Sequence, residues 1–442
     1  MTYSLGNIAL LHEKSCLCVS SQLDLFAVPG TQTSQEKSSY VPYYPLTSLE
    51  DGPLEFDVKP STLYTDLSDT RLYLKVKIVD ATGVNLDATE KVTPVNMFFH
   101  ALFQKLDLFL GDKLVTQSSG FYPWKAGIET LLNFGYDAKS SHLNTIMYYK
   151  NTSGTSDIDP EAVPLNHGLI MRHRLSSGSK PFELYGPLHV DLFFQEKYLL
   201  SNMPMRIKLS RSPAEFCLMS ANPLGRYKVQ ILDAVVWIRR VQISAAVELS
   251  HAKALTHSNA LYPINRTEIE TISAPLGART VSRDNFFAGK IPRKLIVAML
   301  SNKGLNGDIA ANPYNFQHFS LQNVELTLDG DAVAGTPISC DFPKGLCMRG
   351  YNSLFNALNK SYMDAGNDIS YADYFGGYTL FCFDLTADGC GNSGVHMDLA
   401  KAGNLRLKLQ FAENLVTTIN VLVYGEFESI IEITKERQVL LS

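Results

Sequence analysis

VELTLDGDAV, residues 324–333, reads as a strand, a turn and the start of a second strand. Val324, Leu326 and Leu328 alternate with Glu325 and Thr327, the period of a half-buried strand. Asp329-Gly330 then supplies a hairpin turn, because Gly accepts positive φ at no steric cost and Asp does so better than most residues. The chain carries nearly the same pattern earlier. In LDLFLGDKLV, residues 106–115, Leu106, Leu108 and Leu110 share one phase and Gly111-Asp112 makes the turn. Hairpins are common, so the elements after each copy decide whether this is a repeat.

A single amphipathic helix comes after each. In FYPWKAGIETLLNFG (121–135), Trp124, Ile128, Leu131 and Leu132 form one face, Pro123 suits the first turn and Gly135 suits the stop. In RGYNSLFNALNKS (349–361), Tyr351, Leu354, Phe355 and Leu358 repeat the helical spacing. Aromatic strands come next, FELYGPLHVDLFFQ (182–195) and YTLFCFDLT (378–386). Alternating strands with a central basic residue follow, MRIKLS (205–210) and NLRLKLQF (404–411). Long apolar strands close each half, YKVQILDAVVWIRRVQIS (227–244) and TINVLVYGEFESIIEITK (418–435). One order of elements thus occurs twice, with the seam near 243–262. Each copy has many short alternating strands and one inserted helix, the pattern of a sandwich or barrel. The fold expected is all-β with minor helices: two tandem antiparallel β-sandwich modules, a double jelly roll.

Residues 1–50 lack sustained period, and PGTQTSQEKSSYVPYYP (29–45) is rich in Pro, Ser and Thr. The chain divides into an N-terminal arm (1–50), a first roll (51–245) and a second (246–442). The arm cannot build a core alone, so it is expected to lie on a roll edge or on a neighbouring chain. Residues 136–181 show little period and are read as a long projecting loop, against a short equivalent at 362–377. IMYYK (146–150), NPYNF (312–316) and YADYF (371–375) place apolar and aromatic residues in connections, which marks them as candidate association surfaces between chains.

The 442 residues are 45% hydrophobic and 19% charged, a folded composition. Lys+Arg 39 against Asp+Glu 44 leaves a net charge of −5, with no global pull toward nucleic acid or anionic membrane. The basic pairs Arg172/Arg174 and Arg239-Arg240 read as solvated surface arginines. No apolar run approaches the ~18 residues of a spanning helix. The opening stretch MTYSLGNIALLHEKSCLC lacks the basic residue and unbroken apolar run of a signal peptide. Seven irregularly spaced cysteines contain no CxxC pair, so free thiols are expected, without zinc or a disulfide framework.

No GxSxG, Walker or HExxH pattern occurs. The ten histidines are dispersed, without the His-x-His of a jelly-roll metal enzyme, and His189 sits alone in an alternating stretch. DLTADGCGNSG (384–394) lacks the carboxylate spacing and closing Glu of a calcium loop and reads as a polar turn. NPYNFQHF (312–319) reads as a packed turn, having no Lys or Arg for a strand-binding platform. No catalytic, cofactor-binding or metal residue is therefore assigned, and no enzyme activity is expected.

Several stretches, in order, resemble one family. SQLDLFAVPGTQTS (21–34), LEFDVKPSTLYTDLSDTRLYLKVKI (54–78), YPWKAGIETLLNFG, GPLHVDLFFQ (186–195), YPINRTEI (262–269), NPYNFQHFSLQNVELTLDG (312–330) and GNLRLKLQFAENLVTTINVLVYGEFESIIEI (403–433) are similar to the major capsid proteins of Polinton/Maverick elements and adintoviruses. The match runs from about residue 21 to the C-terminus. The resemblance implies a hexon-like double jelly roll and a homotrimeric, pseudo-hexagonal capsomer tiling an icosahedral shell around double-stranded DNA. It also implies localisation in the virion, self-association, penton or minor capsid partners, and neither sequence-specific nucleic-acid binding nor membrane insertion. A carbohydrate-binding or adhesive β-sandwich is the competing reading, and a divergent jelly-roll enzyme a third. The duplication and the poor signal peptide favour the coat.

Overall fold

Eight strands make the body of each half. In a computed structural model describing residues 14, 18–50, 52–362, 364–392, 394 and 396–441, the first half holds β1 (Gln35–Tyr43), β2 (Leu54–Val58), β3 (Tyr64–Asp80), β4 (Phe103–Leu110), β5 (Lys113–Gln117), β6 (Phe182–Pro187), β7 (Met205–Arg211) and β8 (Tyr227–Ile243). They form two antiparallel sheets in the orders β1-β8-β3-β6 and β2-β7-β4-β5. The second half holds β9 (Ala260–Ala274), β10 (Thr280–Arg283), β11 (Lys294–Ser301), β12 (Leu321–Leu328), β13 (Asp331–Ala332), β14 (Leu380–Asp384), β15 (Leu405–Phe411) and β16 (Ile419–Ile433). Its orders are β9-β16-β11-β14 and β10-β15-β12-β13, with Ile338–Ser339 and Val439–Leu441 as added edges. Both halves therefore pair first with eighth, eighth with third and third with sixth. The second, seventh, fourth and fifth strands make the other sheet. This is the jelly-roll connection, used twice.

Side-chain alternation explains the layers. Leu72, Leu74, Val76 and Ile78 of β3 are buried, while Lys75 and Lys77 stay half-buried on the other face. Lys294–Leu300 of β11 and Ile419–Glu426 of β16 depart from alternation and are buried without a break. Such runs need cover on both faces, and the first roll supplies part of it, as described below. The two hairpins form as their residues dictate. Asp329 (φ 51°) and Gly330 (φ 97°) both take positive φ between Leu328 and Asp331. Gly111 (φ 58°) does so between Leu110 and Lys113. These match the primed turns that suit strand twist.

The expected helices appear as α1 (Tyr122–Asn133), after β5, and α4 (Met348–Asn356), in the second half. Between them lie α2 (His167–Ser176) and α3 (Ala245–Ala254), which joins the rolls between β8 and β9. Pro123 sits in the first turn of α1, but Gly135 does not cap it. The chain turns extended at Phe134, and Gly135 keeps negative φ. Gly127 matters for close approach instead, since a Cβ there would lie 2.7 Å from the Tyr314 ring. The helix is pressed against the second roll at that point.

Residues 35–43 of the arm lie on a roll edge, as the edge strand β1, paired with β8 from Gln35↔Ile243 to Tyr43↔Val236. Three expectations need correction. The stretch 182–195 is strand only to Pro187; a 3-10 turn at Asp191–Phe194 follows. Residues 136–181 are not a projecting loop. Leu143, Ile146, Tyr148, Leu169 and Arg172 within them are buried. Finally, Cys340 and Cys347 are disulfide-bonded, and Cys18, Cys217, Cys382 and Cys390 are free. Backbone hydrogen bonds in both directions between Asp341 and Leu346 fold a tight turn over Phe342–Lys344, and this brings the flanking cysteines to a Cα separation of 4.4 Å. A reading that looks for CxxC does not see a pair joined across a turn.

Thiol titration in denaturant without reductant is thus expected to find no more than five reactive groups, and seven after reduction; seven without reductant would remove the bond. Replacing Gly330 by Val forces a β-branched residue to φ 97°, and urea unfolding should report a loss of about 1 kcal/mol or more.

Candidate functional site

Lys125 and Glu129 stand one turn apart on the same face of α1, and both point into the seam between the rolls. Lys125 pairs with Asp191, which the 3-10 turn after β6 delivers. Glu129 takes three partners from two rolls. His189 Nδ1 lies 2.5 Å from Oε2, the Tyr424 hydroxyl of β16 donates to Oε1 at 3.1 Å, and the Thr267 hydroxyl of β9 does so at 3.5 Å. The His189 ring meets that of His100 edge-on at 4.6 Å, and His100 Nδ1 lies 3.1 Å from the Tyr122 hydroxyl. A cavity of about 350 Å³ opens alongside, lined in part by Lys125, His189, Asp191 and Arg266.

Burial works against every charge here, and neighbouring charge decides the outcome. Burial would neutralise Lys125, but Asp191 and Glu129 outweigh it and hold the ammonium above its ordinary range. Burial likewise opposes the Glu129 carboxylate, yet Lys125 and the hydrogen bonds from His189 and Tyr424 keep it below its ordinary range. For Asp191 burial wins and the pKa is raised, with Lys125 offsetting only part. These are the residue types of acid–base chemistry, but their charges and hydrogen bonds are turned on one another across the seam. The arrangement holds two bodies in one orientation.

The seam continues through the excursions that follow the two hairpins. Lys150 binds Asp373 at 2.8 Å and Asp368 at 3.6 Å, and the Ser153 hydroxyl donates to Asp373 at 3.0 Å. Lys139, almost fully buried, donates to the carbonyls of Leu131 at 2.8 Å and Asn367 at 2.6 Å. The Trp124 indole donates to the carbonyl of Pro313, and the Tyr314 hydroxyl to that of Pro123. The apolar clusters 146–150 and 371–375 therefore meet across the seam, and 312–316 packs on α1, with Ile146, Tyr148, Tyr314, Phe316 and Tyr374 buried. These buried side chains are used within one chain. Their spacing along the chain hides that the two excursions lie against each other.

Two of the four arginines read as surface groups are core. Arg172 is fully buried, donating to the carbonyls of Pro94 and Tyr149 and to Asn151 Oδ1, and burial pulls its pKa down to about 10. Arg240 donates to Thr65, to the Tyr43 hydroxyl at 2.8 Å and to the Lys59 carbonyl at 3.1 Å. Arg174 is exposed, and Arg239 pairs with Asp66 at 3.1 Å. His189 is a seam residue, and NPYNFQHF is a packed turn in which His318 stacks on Phe342 at 4.1 Å. DLTADGCGNSG closes on Asp384, which accepts from Thr386 and Gly391. Asp388, His396 and Asp398 bring their ligand atoms within 4.8 Å of one another, an exposed group that spacing alone does not reveal. Among the described residues no helix is long and apolar enough to cross a membrane.

A second surface feature lies at the start of the described chain. Val19, Leu23, Leu25, Phe26 and Val28 are 70–96% exposed. An apolar groove of about 430 Å³ lies between α3, the root of β1 and the start of β9, lined by Val247, Leu255, Leu261 and Tyr262 among others.

No family model matches the chain. An uncharacterized protein of Caenorhabditis elegans is 22% identical over 417 residues, covering 91% of this chain and 96% of the relative. The Sputnik virophage structure determined by cryo-EM contains a chain that superposes with a TM-score of 0.64 at 11% identity, covering 98% of this chain and 94% of that one. The mavirus major capsid protein gives 0.55 at 10%, covering 98% and 97%. The Faustovirus major capsid protein gives 0.55 at 6%, covering 94% and 92%. The likeness covers both rolls and their order, so the fold is that of these double jelly-roll proteins.

Two outcomes test the seam. Removing one partner of a buried pair strands the other charge, so Lys125→Met should cost about 3–5 kcal/mol in urea unfolding, while Lys75→Met on the half-buried outer face of β3 should cost little. Burial depresses Lys139 from its ordinary 10.5 to about 7. Between those values the unfolded chain binds the extra proton, so stability rises with pH from about 7 toward 10.5, with no contribution to the slope below. Lys139→Met should flatten the rise in urea midpoint between pH 7 and pH 9; an unchanged slope would assign it to other groups.

Proposed function

We propose that this chain is a major capsid protein that forms homotrimeric, pseudo-hexagonal capsomers of an icosahedral shell around double-stranded DNA. The observation that carries the reading is the strand order repeated twice in one chain and locked by a buried seam. Three chains with two similar lobes each give six lobes about an axis, an outline that tiles a hexagonal lattice from one gene product. The likeness to the mavirus and Faustovirus major capsid proteins along nearly the whole chain supports it. The sequence resemblance to the Polinton/Maverick and adintovirus proteins narrows it to that branch, in keeping with a relative of matching length in an animal.

On this reading the lobes are 51–245 and 246–442, the first completed by the strand at 35–43, and residues before it form an arm. The protein acts in the virion, meets copies of itself and penton or minor capsid proteins, and needs neither cofactor nor metal. The seam serves as a rigid spacer that fixes the angle between lobes, which lattice packing requires of every copy.

Light scattering on the purified chain should report three times its 49.0 kDa mass, with little monomer on dilution, and electron micrographs should show hexagonal outlines or shells. A stable monomer at micromolar concentration that forms no shell under any condition tried would overturn the reading.

A further inference from the structure

We infer that the apolar arm at 19–28 of one copy docks in the α3 groove of a second copy; this rests on the capsid reading and specifies one contact within it. Five apolar side chains at 70–96% exposure, on a stretch of ten residues, are more than scattered surface hydrophobes. Among the described residues, the hydrogen bonds of 18–31 all run within 20–24, so the segment stands off its own body. The groove offers what the arm lacks. It is walled by Val247, Leu255, Leu261 and Tyr262, and its size suits a few apolar side chains.

Two further observations join arm to groove. Charge is complementary: Asp24 is the sole charged residue in 18–34, and the groove wall bears the exposed ammonium of Lys197. Position is matched: Ser34 and Gln35, where the arm leaves β1, line the groove mouth. Six peptide steps separate Val28 from Ser34 and span about 20 Å when extended, enough to reach the corresponding mouth of a copy abutting on this face. Pro29-Gly30 lets the chain change direction there.

The test uses two full-length chains with different tags, co-expressed. One carries Phe26→Cys and the other Val247→Cys, both with Cys16, Cys18 and Cys390 replaced by Ser. Mild oxidation should give a covalent species carrying both tags, and adding Val19→Asp and Leu25→Asp to the arm should abolish it. A chain bearing both cysteines that closes only on itself would show its own arm in the groove and overturn the inference. Material that assembles by light scattering yet gives no doubly tagged species would overturn the inference and leave the capsid reading standing. A chain of monomer mass would overturn both. Phe26→Asp provides a variant that should fold, since the side chain is 96% exposed; shells that form from it as from wild type would also sink the proposal.

Discussion

Two charges one turn apart on α1, Lys125 and Glu129, have nowhere to go but into protein. Taking them out of water costs several kcal/mol each, and only good partners repay it. Asp191 and His189 come from the first roll, Tyr424 and Thr267 from the second. A tilt of one roll against the other would part Glu129 from Tyr424 while leaving it buried. Apolar contact at the seam tolerates sliding, but a hydrogen-bonded carboxylate does not. The mainly apolar buried runs of β11 and β16 supply the area, and the charged network supplies the register.

The duplicated helices show how one element acquired two uses. α4 packs on β14 of its own roll, and its Arg349 reaches back to the turn at 334–337. Next to Trp124 and Ile128, α1 carries Lys125 and Glu129; next to Tyr351 and Phe355, α4 carries Asn352 and Asn356. The excursion after α1 is also the longer, and it crosses to the shorter one at 362–377 through Lys139 and Lys150. Strand order is kept while the connections diverge, because strands answer to their own sheet and the connections answer to the other roll.

That division explains what was legible in the sequence. Alternation in β3, the paired apolar triplets before each turn and the helix faces depend on neighbours near in sequence, and all are read correctly. Arg172, Arg240, His189 and the aromatic connections depend on partners far along the chain. Nothing in the spacing of HGLIMRHRLS tells a buried arginine from a solvated one; the signal is the set of carbonyls around it. Residues 35–43 hide for a related reason. An edge strand has one neighbour, so its pattern runs from exposed to half-buried and no alternation is written into it. The cysteine pair at 340 and 347 needs only its own turn, but a turn of that length has no spacing rule to announce it.

The pairing of first with last strand sets a condition on synthesis. β1 and β3 both lie against β8, so the apolar face built by Leu72 to Ile78 has no complete sheet until Ile243 has left the ribosome. At about 5–20 residues per second, that wait is on the order of ten to thirty seconds. The second roll repeats the delay, since β9 and β11 both wait for β16 near the end of the chain. Folding is thus governed by contacts remote along the chain, which close slowly, and a nascent roll meanwhile presents an open, adhesive sheet to every other nascent roll on the same message. A cell with ample chaperone capacity, or a slow rate of initiation, is what such a chain demands to reach its native state in quantity.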